Sequence, residues 1–539
     1  MSAWSLSSKE RKTRSVLSIP TILTHETSIN QPFHFFCNIS TPITVSNGMT
    51  VYHKGCFVAF LAALCLCSFQ ASAAKPDKNA LTTDQLYQLT NVWTAHFTFT
   101  IDQWHDMEPS VTGNGNGNPL KSGPGGPNLT GPTGGRNGLA AARGIQFNYV
   151  QAELELANTK LSNIAVRYKG NGTYFRSQGS LKRSLKVDLN DTNKDQKLAG
   201  ETKLNFHSNV SDPTWMIEPL SYRFYRDAGV PSPRTSYVKV YVTASELHRH
   251  RYLGLYSLVE DVDKHFLKAN FGSKDGAIFK PVGPYLFVYK GEDWSTYKQQ
   301  YDPKTDLTPA QSQRIIDFCK LITSANDREF AEKIASFIDL DEFSRFMAAT
   351  VCLSSLDSIL GMSQNFYMVL HPKSNRFLFI PWDLDNSFGK FRMAGALEER
   401  EQLSIMHPWQ GENRFIQRMF EVPQFRKLYR GRVQEFSFKL FKPDRLGKQE
   451  EELAKVIRQP IAEESQSKLA LFDKALAGEN VPPDFGNNGR RPGAGGGGGW
   501  MNSAIKPIKP FVAARAKSLE DQLTGKSEGK IVSRRTGKP

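Results

Sequence analysis

Alternating apolar and polar positions predict a strand-rich region in the first half of the chain. This period of two is typical of strands that bury one face. The predicted strands are Trp93–Ile101, Tyr149–Leu156, Ile164–Tyr168, Ser184–Leu189, Tyr237–Val242 and Tyr252–Val259. One helix interrupts them at Trp215–Asp227, because Asp212 is a favourable N-cap and Pro213 fits a first helical turn.

Helical periodicity replaces the alternation after about residue 300. The predicted helices are Pro309–Thr323, Arg328–Phe337, Asp341–Leu356, Arg414–Phe420, Gln424–Phe441 and a last helix near Pro510–Leu523. A hairpin of strands Phe366–Leu370 and Phe377–Ile380 lies among them. The sequence therefore predicts an α+β protein with a strand-rich N-terminal lobe, residues 80–285, and a helical C-terminal lobe, residues 286–525.

Two segments rich in Gly, Asn and Pro interrupt these lobes at residues 113–138 and 486–499. Such a composition buries too little apolar surface to offset the entropy of ordering the chain, so we predict disordered insertions. We also predict a disordered tail at residues 526–539.

The N-terminal segment has the pattern of an export signal. Its apolar run, Cys56–Phe69, is shorter than the roughly 20 residues that a membrane-spanning helix needs. Met49 and Lys54 precede this run, and the small-x-small sequence Ala71–Ala73 follows it. We interpret residues 49–73 as a signal peptide and residues 1–48 as an upstream extension, with a transit-like leader as the alternative. The mature chain is then exported to the periplasm, the cell envelope or the medium without a transmembrane anchor.

Composition narrows the classes of function. The 539 residues include 39% hydrophobic residues, which excludes a disordered polyelectrolyte. Lys and Arg number 68 against 53 Asp and Glu, and the net charge of +15 favours acidic or phosphorylated partners. No basic motif interleaved with aromatic residues is present, so we expect no nucleic acid partner. The mature chain keeps only Cys319 and Cys352, which we predict as buried thiols, with one disulfide as the alternative.

The predicted hairpin brings three polar residues together. Asp357 follows a helix, Asn365 precedes the first strand of the hairpin, and Asp383 follows the second strand. Two carboxylates and an amide oxygen on rigid strand ends form a plausible site for a hard cation such as Mg²⁺. The order Asp, Asn, hairpin, Asp is also that of phosphoryl-transfer enzymes of the protein-kinase type.

Six motifs in order resemble the spore coat protein H (CotH) kinase family. They are Val166–Gly172, Lys182–Lys186, Asp212 before a helix, Gly254–Glu260, Asn365-Phe-Tyr and Pro381–Gly389. The resemblance runs from about residue 90 to 525. It implies an atypical protein-kinase fold with two lobes, and phosphorylation of Ser or Thr in proteins that depends on ATP and on Mg²⁺ or Mn²⁺.

The family pattern also implies roles for single residues. Asp357 matches the catalytic or metal-contacting Asp, Asn365 the metal-binding Asn, and Asp383 the second metal-binding Asp, with Asp385 as its alternative.

For the nucleotide phosphates, Lys186 fits the strand lysine of kinases, and Lys169 and Lys182 remain rivals. We favour Glu260 as the partner of that lysine and keep Glu218 open. A loop that contains Gly170 and Gly172 is a candidate cover for the phosphates. A non-catalytic protein that binds partners or assists envelope assembly is the alternative function.

Overall fold

The computed structural model describes residues 81–111, 129–130, 138–177, 179–283, 286–482 and 505–533. These residues all belong to one compact unit, Pro76–Pro539. The predicted extension, the predicted signal peptide and insertion 486–499 lie outside the described residues, as does most of insertion 113–138. Among the described residues, none of the helices combines the length and apolar character needed to cross a membrane.

Seven strands form a sheet that closes on itself in the order β1-β4-β5-β6-β7-β9-β8. Its first and last strands, β1 and β8, run parallel, and the other neighbours are antiparallel. A second sheet has the order β10-β11-β12, and β2 pairs with β3. The strands are β1 Val92–Phe99, β2 Ser110–Val111, β3 Ile145–Gln146, β4 Val150–Leu156, β5 Thr159–Tyr168, β6 Leu185–Asp188, β7 Lys203–His207, β8 Thr235–Ala244, β9 His248–Val259, β10 Ala277–Phe279, β11 Phe366–Leu370 and β12 Phe377–Pro381.

Helices dominate the second half of the chain, and a 3₁₀ turn spans Gly138–Arg143. The helices are α1 Thr83–Leu86, α2 Ile101–Asp106, α3 Gly172–Arg176, α4 Ile217–Asp227, α5 Lys264–Phe271, α6 Ser295–Tyr301, α7 Pro309–Ser324, α8 Asp327–Phe337, α9 Leu340–Cys352, α10 Leu397–Glu401, α11 Arg414–Glu421, α12 Pro423–Lys439, α13 Pro443–Glu464, α14 Gln466–Leu476 and α15 Ile508–Leu523. Strands in one region and helices in the other confirm the predicted α+β, kinase-like fold.

The closed sheet encloses the first hydrophobic core. Leu185 and Val187 of β6 point into this core, and Lys186 between them points out of it. Successive side chains of a strand alternate between its faces. Since the inside of the closed sheet takes the apolar residues, the polar ones of β6 and β7 are turned towards the rest of the chain.

A larger second core joins α4 to the helical region and the β11–β12 hairpin. Its aromatic centre is Phe343 of α9, whose ring lies 4.6 Å from Phe379 of β12 and 5.5 Å from both Phe415 and Phe425. This packing fixes the hairpin against α9. Elsewhere in the core, Cys319 and Cys352 are buried free thiols, as the sequence predicts.

Two predicted boundaries differ from the structure. Helix α4 begins at Ile217, and its N-cap residue is Met216 instead of the predicted Asp212. The Asp212 carboxylate accepts hydrogen bonds from the backbone N–H groups of Thr214 and Ile217 and so closes the turn before the helix. Helix α9 ends at Cys352, because Ser354 adopts a left-handed conformation with φ of 46°.

Part of the predicted disordered tail is ordered. Lys530 pairs with Leu403 in a short parallel bridge, and Val532 is buried in the second core. Backbone hydrogen bonds join Lys530 to Gln402 at 2.6 Å and to Ser404 at 2.9 Å. Burial and these bonds stabilise residues 526–533 against the helical region.

Candidate functional site

The outer face of the closed sheet meets the end of the β11–β12 hairpin, and the candidate site lies at this junction. Trp382, which follows β12, marks the contact. The Nζ atom of Lys169, just after β5, lies 5.1 Å from the centre of the Trp382 ring, and the ring of His207, at the end of β7, lies 5.8 Å from it. The hairpin side of the junction contributes Asp357, Asp383 and Asp385, and the closed sheet contributes Lys169 and Lys186.

The hairpin returns the chain to the residue where it started. Phe366 pairs with Pro381, and the backbone N–H of Trp382 donates to the carbonyl oxygen of Asn365 at 3.1 Å. The side-chain Nδ2 of Asn365 donates to the carbonyl oxygen of Asp357 at 2.9 Å. Thus Asp357, Asn365 and the segment from Asp383 are brought together as the sequence predicts.

Amide side chains hold the Asp357 carboxylate in place. Gln364 Nε2 donates to its Oδ1 at 2.7 Å, and Asn386 Nδ2 donates to its Oδ2 at 3.1 Å. Asn386 Nδ2 also lies 3.0 Å from Oδ1 of Asp385, so one amide links the two carboxylates. The Oδ2 atom of Asp385 accepts a hydrogen bond from the Ser211 hydroxyl at 3.3 Å.

Asp383 differs from these two carboxylates. Its backbone N–H donates to the hydroxyl of Tyr222 at 3.1 Å, and its φ of 53° is left-handed, which Asp tolerates better than most residues. Within the described residues, the Asp383 carboxylate makes no hydrogen bond or ion pair, although the nearby Lys169 ammonium lowers its pKa. This carboxylate is therefore free to take a ligand.

Burial and the closeness of other carboxylates disfavour negative charge on Asp357 and Asp383. Burial, together with the carboxylates of Asp385 and Asp383, raises the pKa of Asp357 to about 7, although the hydrogen bonds from the two amides oppose this rise. Burial also raises the pKa of Asp383, as do Asp385 and Glu218. A cation bound here would remove this repulsion.

On the sheet side, a chain of hydrogen bonds runs from a lysine to a glutamate. Lys169 Nζ donates to Oδ1 of Asn205 at 3.0 Å and lies 2.7 Å from Nε2 of His207. The other ring nitrogen of His207, Nδ1, lies 2.8 Å from Oε2 of Glu218 on α4. Burial and the charge of Lys169 together lower the pKa of His207 to about 3, so the imidazole is neutral near pH 7.

Lys186 makes a separate ion pair on the same face. Its Nζ lies 3.5 Å from Oδ1 of Asp261, which also accepts from Asn205 Nδ2 at 2.9 Å. Although burial opposes it, Lys186 and this hydrogen bond hold the pKa of Asp261 well below its usual range. Asn205 therefore connects the two lysines.

A third lysine reaches the site from β10. The Nζ atom of Lys280, the residue after this strand, lies 5.0 Å from the centre of the Trp382 ring and 5.3 Å from that of Tyr367. Burial lowers the pKa of Lys280, and the charges of Lys169, Lys304 and Lys186 lower it further. A bound anion would stabilise the charged forms of these lysines, so their grouping around Trp382 is favourable for binding an anion.

Two of the predicted nucleotide-binding residues lie elsewhere. Lys182 forms a buried ion pair with Glu464 at the end of α13, 2.7 Å apart, and so joins the sheet to the helical region. Glu260 pairs with Arg234 at 2.5 Å. The predicted pairing of Lys186 with Glu260 is therefore wrong. Lys186 forms its ion pair with Asp261, which follows the end of β9 at Val259.

The predicted phosphate-covering segment directly follows Lys169. Gly170 has a φ of 100°, which requires glycine, and a Cβ atom there would collide with the Thr173 hydroxyl. Gly172 begins the short helix α3. The segment is thus a tight turn followed by a helical turn, located between β5 and β6.

Several residues of the site escaped the sequence analysis, namely Asn205, His207, Asp261, Lys280, Gln364 and Asn386. Asn205 and His207 lie on strand β7, and the alternation of this strand indicates that they face the site. Leu204 and Phe206 point into the first core, so Asn205 and His207 point out of it. The others lie just before or after strands, at positions where polar side chains carry no periodic pattern.

The donor set fits a divalent cation bound together with a phosphate. Asp383 offers an unpaired carboxylate, and Asp357 and Asn365 lie beside it. Among the described residues, no group of three or more His, Cys, Asp or Glu side chains is placed to hold a metal ion. Two carboxylates and an amide suit Mg²⁺, which keeps waters and substrate phosphate oxygens among its ligands.

A closed strand-rich lobe, a helical lobe and a junction with carboxylates on one side and lysines on the other define a kinase-like protein. The chain belongs to the CotH kinase family: the family model described as "CotH kinase protein" matches residues 166–519, well over half of the chain.

The chain is also similar to a curated protein, "Inner spore coat protein H" of Bacillus subtilis (strain 168). The two are 25% identical over 236 residues, which cover 43% of this chain and 61% of the relative. The match thus spans less than two thirds of that relative's length.

Proposed function

We propose that the chain is an exported protein kinase that transfers the γ-phosphate of ATP to Ser or Thr of secreted or envelope proteins, with Mg²⁺ or Mn²⁺. The observation that carries the proposal is the unpaired Asp383 carboxylate beside Asp357 and Asn365, opposite the Lys169–His207–Glu218 chain. Family membership supports the same class of chemistry.

Each residue then has a defined task. Lys169 and Lys186 neutralise nucleotide phosphates from the sheet side, and Lys280 adds a charge from β10. Asp383 and Asn365 would hold the metal ion, which when bound neutralises charge on the β- and γ-phosphates. Of the two candidate aspartates we favour Asp383, because both carboxylate oxygens of Asp385 already accept hydrogen bonds.

The transfer step uses Asp357. The acceptor hydroxyl oxygen forms a bond to the γ-phosphorus while the bond from that phosphorus to the leaving oxygen of ADP breaks. The proton of the hydroxyl passes to the Asp357 carboxylate, which Gln364 and Asn386 orient. Acceptor side chains are those of Ser or Thr, as the family resemblance implies.

The direct test incubates the purified full chain with radiolabelled ATP and Mg²⁺ or Mn²⁺, with itself, casein or an acidic protein as acceptor. We expect label on Ser or Thr. If neither transfer nor a nucleotide-induced thermal shift occurs, the alternative of a non-catalytic binding or envelope-assembly protein gains support.

Export is a separate part of the proposal and rests on residues 49–73, which lie outside the described residues. Mass spectrometry of the native protein should find an N-terminus at Ala74. Peptides from residues 1–48 in that protein would contradict both the signal peptide and the start at Met49.

A further inference from the structure

We propose that His207 is a positioning residue that replaces the direct lysine–glutamate ion pair of kinases with a three-residue relay from Lys169 to Glu218. The inference rests on the proposed function and adds to it a role for a residue that neither the family match nor the sequence motifs assign.

Topology places His207 where a kinase carries its nucleotide lysine. In kinases that lysine lies on the strand that precedes the helix with the partner glutamate. Here β7 is the strand directly before α4, His207 is its last residue, and Glu218 lies in the first turn of α4. An imidazole therefore occupies the position of the lysine, and it contacts the glutamate at 2.8 Å.

The ammonium comes instead from the far side of the imidazole. Lys169 follows β5, a strand that is separated from β7 by β6, and its Nζ lies 2.7 Å from His207 Nε2. The ring nitrogens thus span the gap between a lysine and a glutamate that do not touch each other. His207 is only 8% exposed and Glu218 only 1%, so water does not compete for these bonds.

The relay defines one tautomer of His207. A lysine ammonium has donors only, so Nε2 must accept from Lys169. The ring proton then lies on Nδ1 and is donated to the Glu218 carboxylate. The pKa of His207, lowered to about 3 by burial and by Lys169, supports this neutral form. Deleting the imidazole would leave Glu218 buried without this donor and would leave Lys169 with Asn205 as its remaining acceptor.

Two substitutions separate the relay from a merely structural role. His207→Leu removes both bonds, and we expect kcat/KM for ATP to fall at least tenfold while KM for the protein acceptor is unchanged. His207→Gln keeps one acceptor and one donor, so we expect it to restore most of the loss. His105→Gln on the exposed side of α2 is the matched control.

The sharpest test moves the lysine from position 169 to position 207. Lys169→Met should weaken ATP binding, and combining it with His207→Lys should recover binding, because a lysine at position 207 can pair directly with Glu218. When the wild type binds ATP, failure of the double variant to bind ATP better than Lys169→Met would overturn the relay, as would full ATP affinity in a folded His207→Leu variant.

A measurement without nucleotide keeps the relay separate from the proposed function. In ¹⁵N NMR of the full chain, we expect His207 in the Nδ1–H tautomer, with an Nε2 resonance that shifts in Lys169→Met. This signature together with no ATP binding would contradict the kinase proposal but leave the relay standing. An Nε2–H tautomer would overturn the relay, whatever the activity.

Discussion

The side-chain Nδ2 of Asn365 donates a hydrogen bond to the backbone carbonyl of Asp357 at 2.9 Å. This bond ties the loop after α9 to the start of the β11–β12 hairpin, whose other end leads into Asp383. The acidic side of the site is therefore built on two strands and a helix end that share one aromatic core. A site supported in this way can tolerate the mutual repulsion of three aspartates.

Substitution of each of the three lysines near the sheet should have a different effect on ATP affinity and on stability. Lys169→Met is expected to weaken ATP binding with little loss of stability, because it removes the charge that faces Trp382 and His207. Lys186→Met should weaken binding less, because its ammonium is already paired with Asp261. Isothermal titration with ATP and Mg²⁺ measures both, and a larger loss of affinity in Lys186→Met would transfer the main role to that residue.

Lys182→Met should act on stability instead. Its partner Glu464 is buried, and removing one member of a buried ion pair costs roughly 3 kcal/mol. Denaturant unfolding should show this loss, whereas ATP affinity extrapolated to the folded state should stay at the wild-type level. An affinity loss in a stable Lys182→Met variant would place Lys182 in the nucleotide site after all.

Gly254 is expected to tolerate no side chain. It has a φ of 130°, and a Cβ atom there would collide with the Glu464 carboxylate and approach Lys182 Nζ. Gly254→Ala should therefore lower the free energy of unfolding by roughly 2 kcal/mol or more. The control Gly447→Ala adds a methyl group to open space in α13 and should stabilise by about 0.5–1 kcal/mol. Equal effects of the two substitutions would contradict the close approach of α13 to β9.

Glu450 of α13 should make stability fall as the pH rises. It is fully buried, and neither carboxylate oxygen has a hydrogen-bond partner among the described residues. Burial raises its pKa to about 7. Between the unfolded pKa, about 4.3, and about 7, the unfolded chain loses this proton while the folded chain keeps it, so stability is complete below this range and is lost through it.

Glu450→Gln removes the titration. Relative to the wild type, its melting temperature should rise from pH 5 to pH 8, by an amount corresponding to on the order of 3 kcal/mol. Glu479→Gln, at an exposed position, is the control and should show no such trend. A constant difference between Glu450→Gln and the wild type across this pH range would exclude the titration of Glu450.

Local patterns predict this chain well where one face of an element is buried. Alternation in β6 correctly turns Lys186 outward, because Leu185 and Val187 have only the inside of the closed sheet to occupy. The hairpin likewise brings Asn365 next to Asp357 because its two strands are matched in length. Both results follow from neighbours in sequence and the period of a strand.

Partners that are distant in sequence could not be predicted in this way. Lys182 pairs with Glu464 across 282 positions, and no local pattern links a residue before β6 to the end of α13. Whether Lys186 pairs with Glu260 or Asp261 depends on where β9 ends, and boundaries of elements are the least predictable features. The signal for His207 is weak, because the alternation of β7 covers only five residues.

The most direct test of the account compares phosphate transfer by the wild type, Asp383→Asn and Asp385→Asn. Purified full chains are incubated with radiolabelled ATP and Mg²⁺ or Mn²⁺, and cooperative thermal unfolding is recorded for each. We predict label on Ser or Thr with the wild type, and none with Asp383→Asn although its unfolding remains cooperative. Asp385→Asn should keep part of the activity. Full transfer by a folded Asp383→Asn variant would contradict the central claim, as would a wild type that neither binds nor turns over ATP.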